Sequence, residues 1–126
     1  MRLKRVSLPV TDTKDTTMAE TGLPRSFLRS MLLLALRTGS SHGYELMEQL
    51  VAGGLSVDLA GIYRMLRTFE QGELVVASWE RSTLGPPRRV YDLTDSGEAA
   101  AVVAIDELTR ARDQLSAALA ATHVAR

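Results

Sequence analysis

The sequence contains no cysteine, which excludes disulfide bonds, thiol nucleophiles and thiolate ligands for a metal. Its two histidines, His42 and His123, lie far apart in the chain and have no carboxylates at a spacing typical of a metal site. We therefore expect neither a metal nor a cofactor. The longest apolar run, Met31 to Leu36, is far shorter than the ~20 residues that a membrane-spanning helix needs. Because the N-terminus also lacks the apolar stretch of a signal peptide, we expect a cytoplasmic protein that has no membrane partner.

The sequence motifs of the common enzyme classes are missing as well. The chain contains no P-loop and no glycine-rich loop after a predicted strand. It also contains no pair of residues that can be named as a nucleophile and its base. We therefore do not expect an enzyme.

The chain carries no net charge, because 15 basic residues are balanced by 15 acidic ones. The distribution of these charges is more informative than their sum. Residues 59–69 contain Arg64 and Arg67 and no acid, and residues 81–91 contain three arginines and no acid. The acids between them, including Glu70 and Glu80, fall outside both segments. This pattern predicts a local basic surface, although arginines scattered over a solvated face would give the same composition.

The apolar residues of the N-terminal half predict three helices. Residues 24–37 have a broad apolar stripe, and residues 42–52 offer Tyr44 and Leu46 to a core, with a serine hydroxyl at position 40 or 41 as N-cap. The third helix, residues 59–71, begins after Asp58, a good N-cap residue. At 100° per residue it has two faces. The face toward the core contains Leu59, Ile62, Met65, Leu66 and Phe69. The outward face contains Ala60, Gly61, Tyr63, Arg64, Arg67, Thr68 and Gln71.

A β-hairpin is predicted directly after the third helix. Residues 74–81 are strand-like, residues 82–87 form a turn that contains Gly-Pro-Pro, and residues 88–93 return. Arg88 and Arg89 therefore lie at the tip of the hairpin. Trp79, the only tryptophan, is expected to pack the hairpin onto the core; the alternative is that it forms a flat wall of a ligand site.

The last predicted helix, from about residue 96 to 122, has an apolar seam with heptad-like 4-3 spacing. A single helix after a small domain has no obvious partner within the chain. We therefore expect it to pack against the same helix of a second subunit in a homodimer. The alternative is that it folds back on its own domain. The expected organisation is a flexible arm (1–22), a DNA-binding domain (23–94) and a dimerisation helix (95–126). The expected dimer interface consists of Ile105, Leu108, Leu115 and Leu119.

A helix with a basic outer face beside a hairpin with a basic tip is typical of a winged helix-turn-helix DNA-binding domain. The fold is thus predicted to be mainly α with a small β-hairpin, followed by a C-terminal dimerisation helix. Arginine is suited both to phosphates and to the edge of guanine. The predicted contacts to double-stranded DNA are Ala60, Gly61, Tyr63, Arg64, Arg67, Thr68, Arg88 and Arg89. Tyr63 could instead pack at the edge of the helix, and only one of the two alternating hairpin arginines is expected to point toward DNA.

Three motifs in this order and spacing resemble the PadR family of bacterial transcriptional regulators. They are Met31-Leu32-Leu33-Leu34-Ala35-Leu36 with His42-Gly43-Tyr44-Glu45-Leu46, then Ile62-Tyr63-x-x-Leu66-x-x-Phe69-Glu70-x-Gly72, then Gly85-Pro86-Pro87-Arg88-Arg89-x-Tyr91-x-Leu93-Thr94-x-x-Gly97. The resemblance covers residues 27 to about 100, and the short C-terminal helix is similar to the smaller branch of the family. It implies a dimeric winged-helix repressor that a small-molecule effector releases from DNA. The chain departs from the family at residues 58–61, where Asp-Leu-Ala-Gly replaces the usual Ser-Pro-Gly-Thr type of segment.

Two functions follow from these observations. The first is a sequence-specific DNA-binding transcriptional regulator, dimeric and repressing. The second is a winged-helix protein-interaction module that has lost DNA binding, which the zero net charge and the altered start of the third helix keep open. The two differ in the salt dependence of DNA affinity, because DNA binding releases counterions from phosphates.

Overall fold

A computed structural model describes residues 23–39 and 41–124. A 3₁₀ turn at Arg25–Phe27 leads into α1. The elements that follow, in chain order, are α1 (Leu28–Arg37), β1 (Ser41–His42), α2 (Gly43–Ala52), α3 (Leu59–Gln71), β2 (Val75–Glu80), β3 (Arg88–Leu93) and α4 (Asp95–Val124). The predicted class, mainly α with a small β element, is confirmed. The predicted arm at residues 1–22 lies outside the described residues, and the division into domains stays a prediction.

The core lies where α1, α2 and α3 meet the sheet and the first turns of α4. Its fully buried side chains are mostly leucines, with Ile62 and Phe69 from α3. The apolar periodicity of the helices explains this packing, because one face of each helix must leave water. Tyr44 on α2, which the sequence assigned to the core, is exposed instead, and so is Leu34 in the apolar run of α1.

The sheet has three strands in the order β1-β3-β2, all antiparallel. The hairpin β2–β3, with its connecting turn, is called the wing below. The short strand β1 was not predicted: Ser41 pairs with Tyr91 of β3. The predicted serine N-cap of α2 is wrong, because the cap position is His42 and its side chain makes no capping hydrogen bond. Residues 41 and 42 pair with the edge of β3 that β2 does not cover. The sequence did not indicate this pairing, because β3 lies far along the chain.

The helix α4 begins one residue after the wing. Thr94 Oγ1 donates a hydrogen bond to the Glu73 carbonyl (2.7 Å) and accepts one from the Gly97 amide (3.0 Å). The Thr94 amide donates to the Leu74 carbonyl at 3.0 Å. These bonds join the start of α4 to the segment that links α3 with β2. Glu73 in that segment has a positive φ of 60°, a backbone conformation that is unfavourable for residues other than glycine.

The two halves of α4 have different surroundings. Ala101 and Ala104 in the first half are buried in the domain core, and Arg37 of α1 pairs with Glu98 at 3.2 Å. Leu115 and Leu119 in the second half are 60% and 64% exposed. The first half of α4 therefore packs on its own domain, as in the alternative considered above. In the second half, the apolar seam is exposed to solvent. Within the described part of the chain, no helix is long and apolar enough to cross a membrane.

Candidate nucleic-acid interface

The helix α3 presents its basic face to solvent because its apolar face is held in the core. Ile62, Leu66 and Phe69 are buried, whereas Arg64 and Arg67 are exposed. Neither arginine forms an ion pair with a carboxylate in residues 23–39 and 41–124. Both guanidinium groups are therefore open to anionic groups of a partner.

The first turn of α3 is fixed by Asp58, whose Oδ1 accepts a hydrogen bond from the Gly61 amide at 2.9 Å. The predicted N-cap is thus confirmed. The prediction that Gly61 faces outward is wrong, because Gly61 is buried. A Cβ atom there would lie 3.1 Å from Asp58 Oδ1 and 3.2 Å from Val57 Cγ2. The loop before the helix covers this position, which the helical periodicity alone does not reveal.

Three further predicted contacts lie on or beside this face of α3. Ala60 is exposed in the first turn. Thr68 is exposed, but its hydroxyl donates to the Arg64 carbonyl of its own helix at 3.1 Å. Tyr63 is 36% exposed, and its ring lies against Gly43 at the start of α2, where a Cβ atom would be 2.6 Å from Tyr63 Cζ. The ring of Tyr63 thus packs at the helix edge, and a contact of its hydroxyl with DNA stays a prediction.

The arginines of the wing are paired with carboxylates. Arg88 Nη2 lies 3.6 Å from Glu80 Oε1, and Arg89 Nη2 lies 3.1 Å from Glu70 Oε2. Glu70 and Glu80 lie outside the basic segments in the sequence, as expected. In the folded structure, however, each of them contacts an arginine of the wing. The antiparallel register sets Glu80 opposite Arg88, and Glu70 lies at the end of α3 that approaches the wing. His42 lies beside the first pair, with Nε2 at 3.7 Å from Glu80.

Trp79 does not pack into the core, contrary to the expectation from the sequence. Its side chain is 66% exposed, because β2 extends past the core toward the turn of the wing. The guanidinium carbon of Arg89, its partner across the hairpin, lies 5.4 Å from the centroid of the ring. This distance is within the range of a cation–π interaction.

A cleft of about 600 Å³ separates α3 from the wing. The structure brings together on this cleft four of the predicted residues: Tyr63, Arg67, Arg88 and Arg89. Its other lining residues are His42, Glu70, Trp79, Pro87 and Tyr91. Of these, the sequence indicated only Trp79, as the alternative wall of a ligand site. Arg64 lies apart from them, in a shallow groove between α3 and α1. The hydrogen bond to Glu70 raises the pKa of Arg89 above its ordinary value.

An apolar groove runs along the second half of α4. Three of the four predicted interface residues, Leu108, Leu115 and Leu119, line this groove of about 430 Å³ together with Phe27 and Met31. Ile105 is partly buried and does not line it. The groove therefore continues from the exposed seam of α4 toward α1.

In the part of the chain that the structure describes, no group of three or more histidines, aspartates or glutamates is arranged to hold a metal ion. The candidate site is thus a polar surface of arginines, aromatic rings and two carboxylates. Such a surface fits the sugar–phosphate backbone and base edges of a nucleic acid.

Comparison with known proteins agrees with this geometry. A model of the PadR-like family of transcriptional regulators matches residues 32–102. A comparison with curated proteins gives no match.

Several solved structures have the same fold. A PadR-like transcriptional regulator from Bacillus cereus is 24% identical with a TM-score of 0.68, over 75% of this chain and 93% of that one. A Streptococcus transcriptional regulator is 22% identical with a TM-score of 0.65, over 74% and 92% of the two chains. PadR from Bacillus subtilis, solved in complex with operator DNA, is 22% identical with a TM-score of 0.54, over 59% of this chain and 44% of that one.

Proposed function

The chain belongs to the PadR-like family of transcriptional regulators, and we propose that it binds double-stranded operator DNA as a homodimer and represses transcription in the cytoplasm. The observation that carries the proposal is the shared cleft of α3 and the wing, with arginines of both on its walls. The family consists of regulators rather than enzymes, in agreement with the expectation from the sequence.

In the proposed complex, α3 enters the major groove of DNA. Arg64 and Arg67 extend from its exposed face, where a bidentate arginine can recognise guanine, and Ala60 and Thr68 lie beside them. The wing follows the neighbouring backbone, with one of Arg88 and Arg89 on a phosphate. Gly61 takes no part in this arrangement, because it is buried.

We propose that the apolar groove of α4 is covered by a second copy of the chain. Leu115 and Leu119 are large apolar side chains with most of their surface in solvent, and burial of one such leucine is worth about 1.5–3 kcal/mol. Two copies related by a two-fold axis would present two α3 helices to one side of a duplex. The operator is then expected to contain half-sites related by two-fold symmetry and separated by ~10–10.5 bp.

The DNA-binding proposal is tested by selecting bound fragments from a random duplex pool and measuring affinity for the best fragment and a scrambled one across a salt series. We expect a steep decrease of affinity with salt. Arg64→Ala or Arg67→Ala should cost about 1–3 kcal/mol on the selected fragment and relax the preference at one base pair. Arg110→Ala, an equal change of charge on α4 where Arg110 pairs with Asp106, is the matched control. Unchanged affinity in both variants of α3 would refute the proposed orientation of this helix.

The dimer is tested by sedimentation of the double variant Leu108→Asp with Leu115→Asp. Charges in the groove should yield monomers at micromolar concentration. The matched control is Val102→Asp with Val103→Asp, two exposed positions of α4 that lie more than 100° away around the helix. If the first double variant remains dimeric, the interface lies elsewhere.

Release of the repressor by a small-molecule effector is the last part of the proposal, and it rests on the family resemblance alone. Ligands that weaken operator binding in a screen would support it. A protein-interaction module remains the second candidate function, because both wing arginines are already paired with carboxylates. That function predicts no DNA affinity with steep salt dependence.

A further inference from the structure

Side chains from two other elements of the fold, α3 and β2, hold Arg89. Its Nη2 donates to Glu70 Oε2 of α3 at 3.1 Å, and its guanidinium carbon lies over the Trp79 ring of β2, 5.4 Å from the centroid. Arg88 has a looser arrangement, 3.6 Å from Glu80 between two side chains that are both more than half exposed. The neighbouring arginines of the wing therefore differ in their freedom to reach a new partner.

We propose that Arg89 is a positioning residue. Together with Glu70 and Trp79 it forms a clasp that fixes the wing relative to α3, and Arg88 is the wing arginine that contacts a DNA phosphate. This inference rests on the proposed function, because it divides the roles of two residues on the same DNA-binding face.

The chemistry of the guanidinium group suits this role. A guanidinium can donate to a carboxylate while it lies over an aromatic ring, a combination that suits the compact lysine ammonium less well. A phosphate that bound the guanidinium of Arg89 would have to displace the carboxylate of Glu70. It would then leave that carboxylate unpaired beside a polyanion, where like charges repel.

The clasp has a consequence for specificity. Glu70 lies at the end of α3, one helical turn after Arg67, and Trp79 lies on the wing. Their common contact with Arg89 sets the width of the cleft between the two DNA-contacting elements. Loss of Arg89 should therefore reduce the preference for the operator over other sequences, rather than remove one phosphate contact.

A double-mutant cycle tests the assignment, with affinities for operator and scrambled duplex measured across a salt series. Arg88→Ala should flatten the slope of log affinity against log salt by about one, since one phosphate contact is lost. Arg89→Ala should leave the slope unchanged and reduce the operator preference several-fold. In a Glu70→Gln background, Arg89→Ala should change affinity by less than about twofold, because residues that act as one unit are not additive. Arg89→Lys, which keeps the charge, should resemble Arg89→Ala in its operator preference.

The contrary result is a phosphate contact by Arg89 itself. In that case Arg89→Ala flattens the salt slope by about one, its loss of affinity is the same in the wild-type and Glu70→Gln backgrounds, and Arg89→Lys retains most of the binding. The emission of Trp79, the only tryptophan, gives a measurement on the free protein. Arg89→Ala should shift it and Arg88→Ala should not, and an unshifted spectrum in Arg89→Ala would overturn the clasp. Absence of salt-dependent DNA binding by the wild-type chain would refute the proposed function, and the emission would still decide whether the clasp exists.

Discussion

Substitution of Gly97 by alanine is expected to destabilise the protein, although alanine normally favours a helix. Gly97 lies in the first turn of α4 and is buried. A Cβ atom there would overlap the Leu74 carbonyl oxygen and would lie 2.9 Å from Leu93 Cδ2. The oxygen belongs to the backbone and accepts a hydrogen bond from Thr94, so a change of side-chain rotamer cannot relieve the overlap.

The size of this effect follows from two opposing contributions. Helix propensity favours alanine over glycine by about 1 kcal/mol, whereas overpacking in a rigid site costs typically 1–3 kcal/mol and occasionally more. Because the obstructing group is backbone, we expect the upper end of that range and a net loss of about 2 kcal/mol. For a chain of this length the loss corresponds to a decrease of Tm by roughly 8 °C.

Urea and thermal unfolding, followed by circular dichroism at one fixed protein concentration, measure this change. The matched control is Gly85→Ala in the turn of the wing, where a Cβ atom would meet nothing within 4 Å, and it should leave the free energy of unfolding nearly unchanged. A Gly97→Ala variant that is as stable as the wild type would refute the close packing of α4 on residue 74.

Substitutions at three further positions test other parts of the structure by the same unfolding measurements. Asp58→Ala removes the cap of α3 and should cost about 0.5–2 kcal/mol, whereas Asp58→Asn should retain most of the stability. Glu73→Gly should stabilise the chain by about 1 kcal/mol if its side chain disfavours the observed backbone conformation, and a loss of stability would count against that conformation. Trp79→Ala should lower the free energy of unfolding by only about 0.5–1 kcal/mol, because the side chain lies outside the core and loses a single cation–π contact with Arg89; a loss of several kcal/mol would restore the expectation that it packs inward.

The elements that the sequence predicted are those specified by local patterns. The bounds predicted for α3 agree with the structure because Asp58 caps it and one apolar face repeats along it. The hairpin was predicted because the Gly-Pro-Pro turn separates two strand-like runs. The strand β1 was missed because two residues have no periodicity, and their pairing depends on Tyr91.

The candidate site was predictable only in part, for a related reason. The exposed arginines of α3 follow from helical geometry, so Arg64 and Arg67 could be assigned to a face. The partners of the wing arginines could not, because Glu80 meets Arg88 through the register of the hairpin and Glu70 meets Arg89 through packing of α3. The exposure of Trp79 depends on how far β2 extends past the core, which composition does not specify.

The direct passage from the wing into α4 constrains where the length of the chain can change. Thr94 alone separates β3 from α4. Its hydroxyl and its amide donate hydrogen bonds to the carbonyl groups of residues 73 and 74. One residue inserted there would turn the leucine seam by ~100° around the helix axis, away from the direction it now has relative to α3. An insertion in the exposed turn at residues 82–87 would change only the reach of the wing. Natural variants of this chain are therefore expected to differ in length at the wing turn and to keep a fixed length at residue 94.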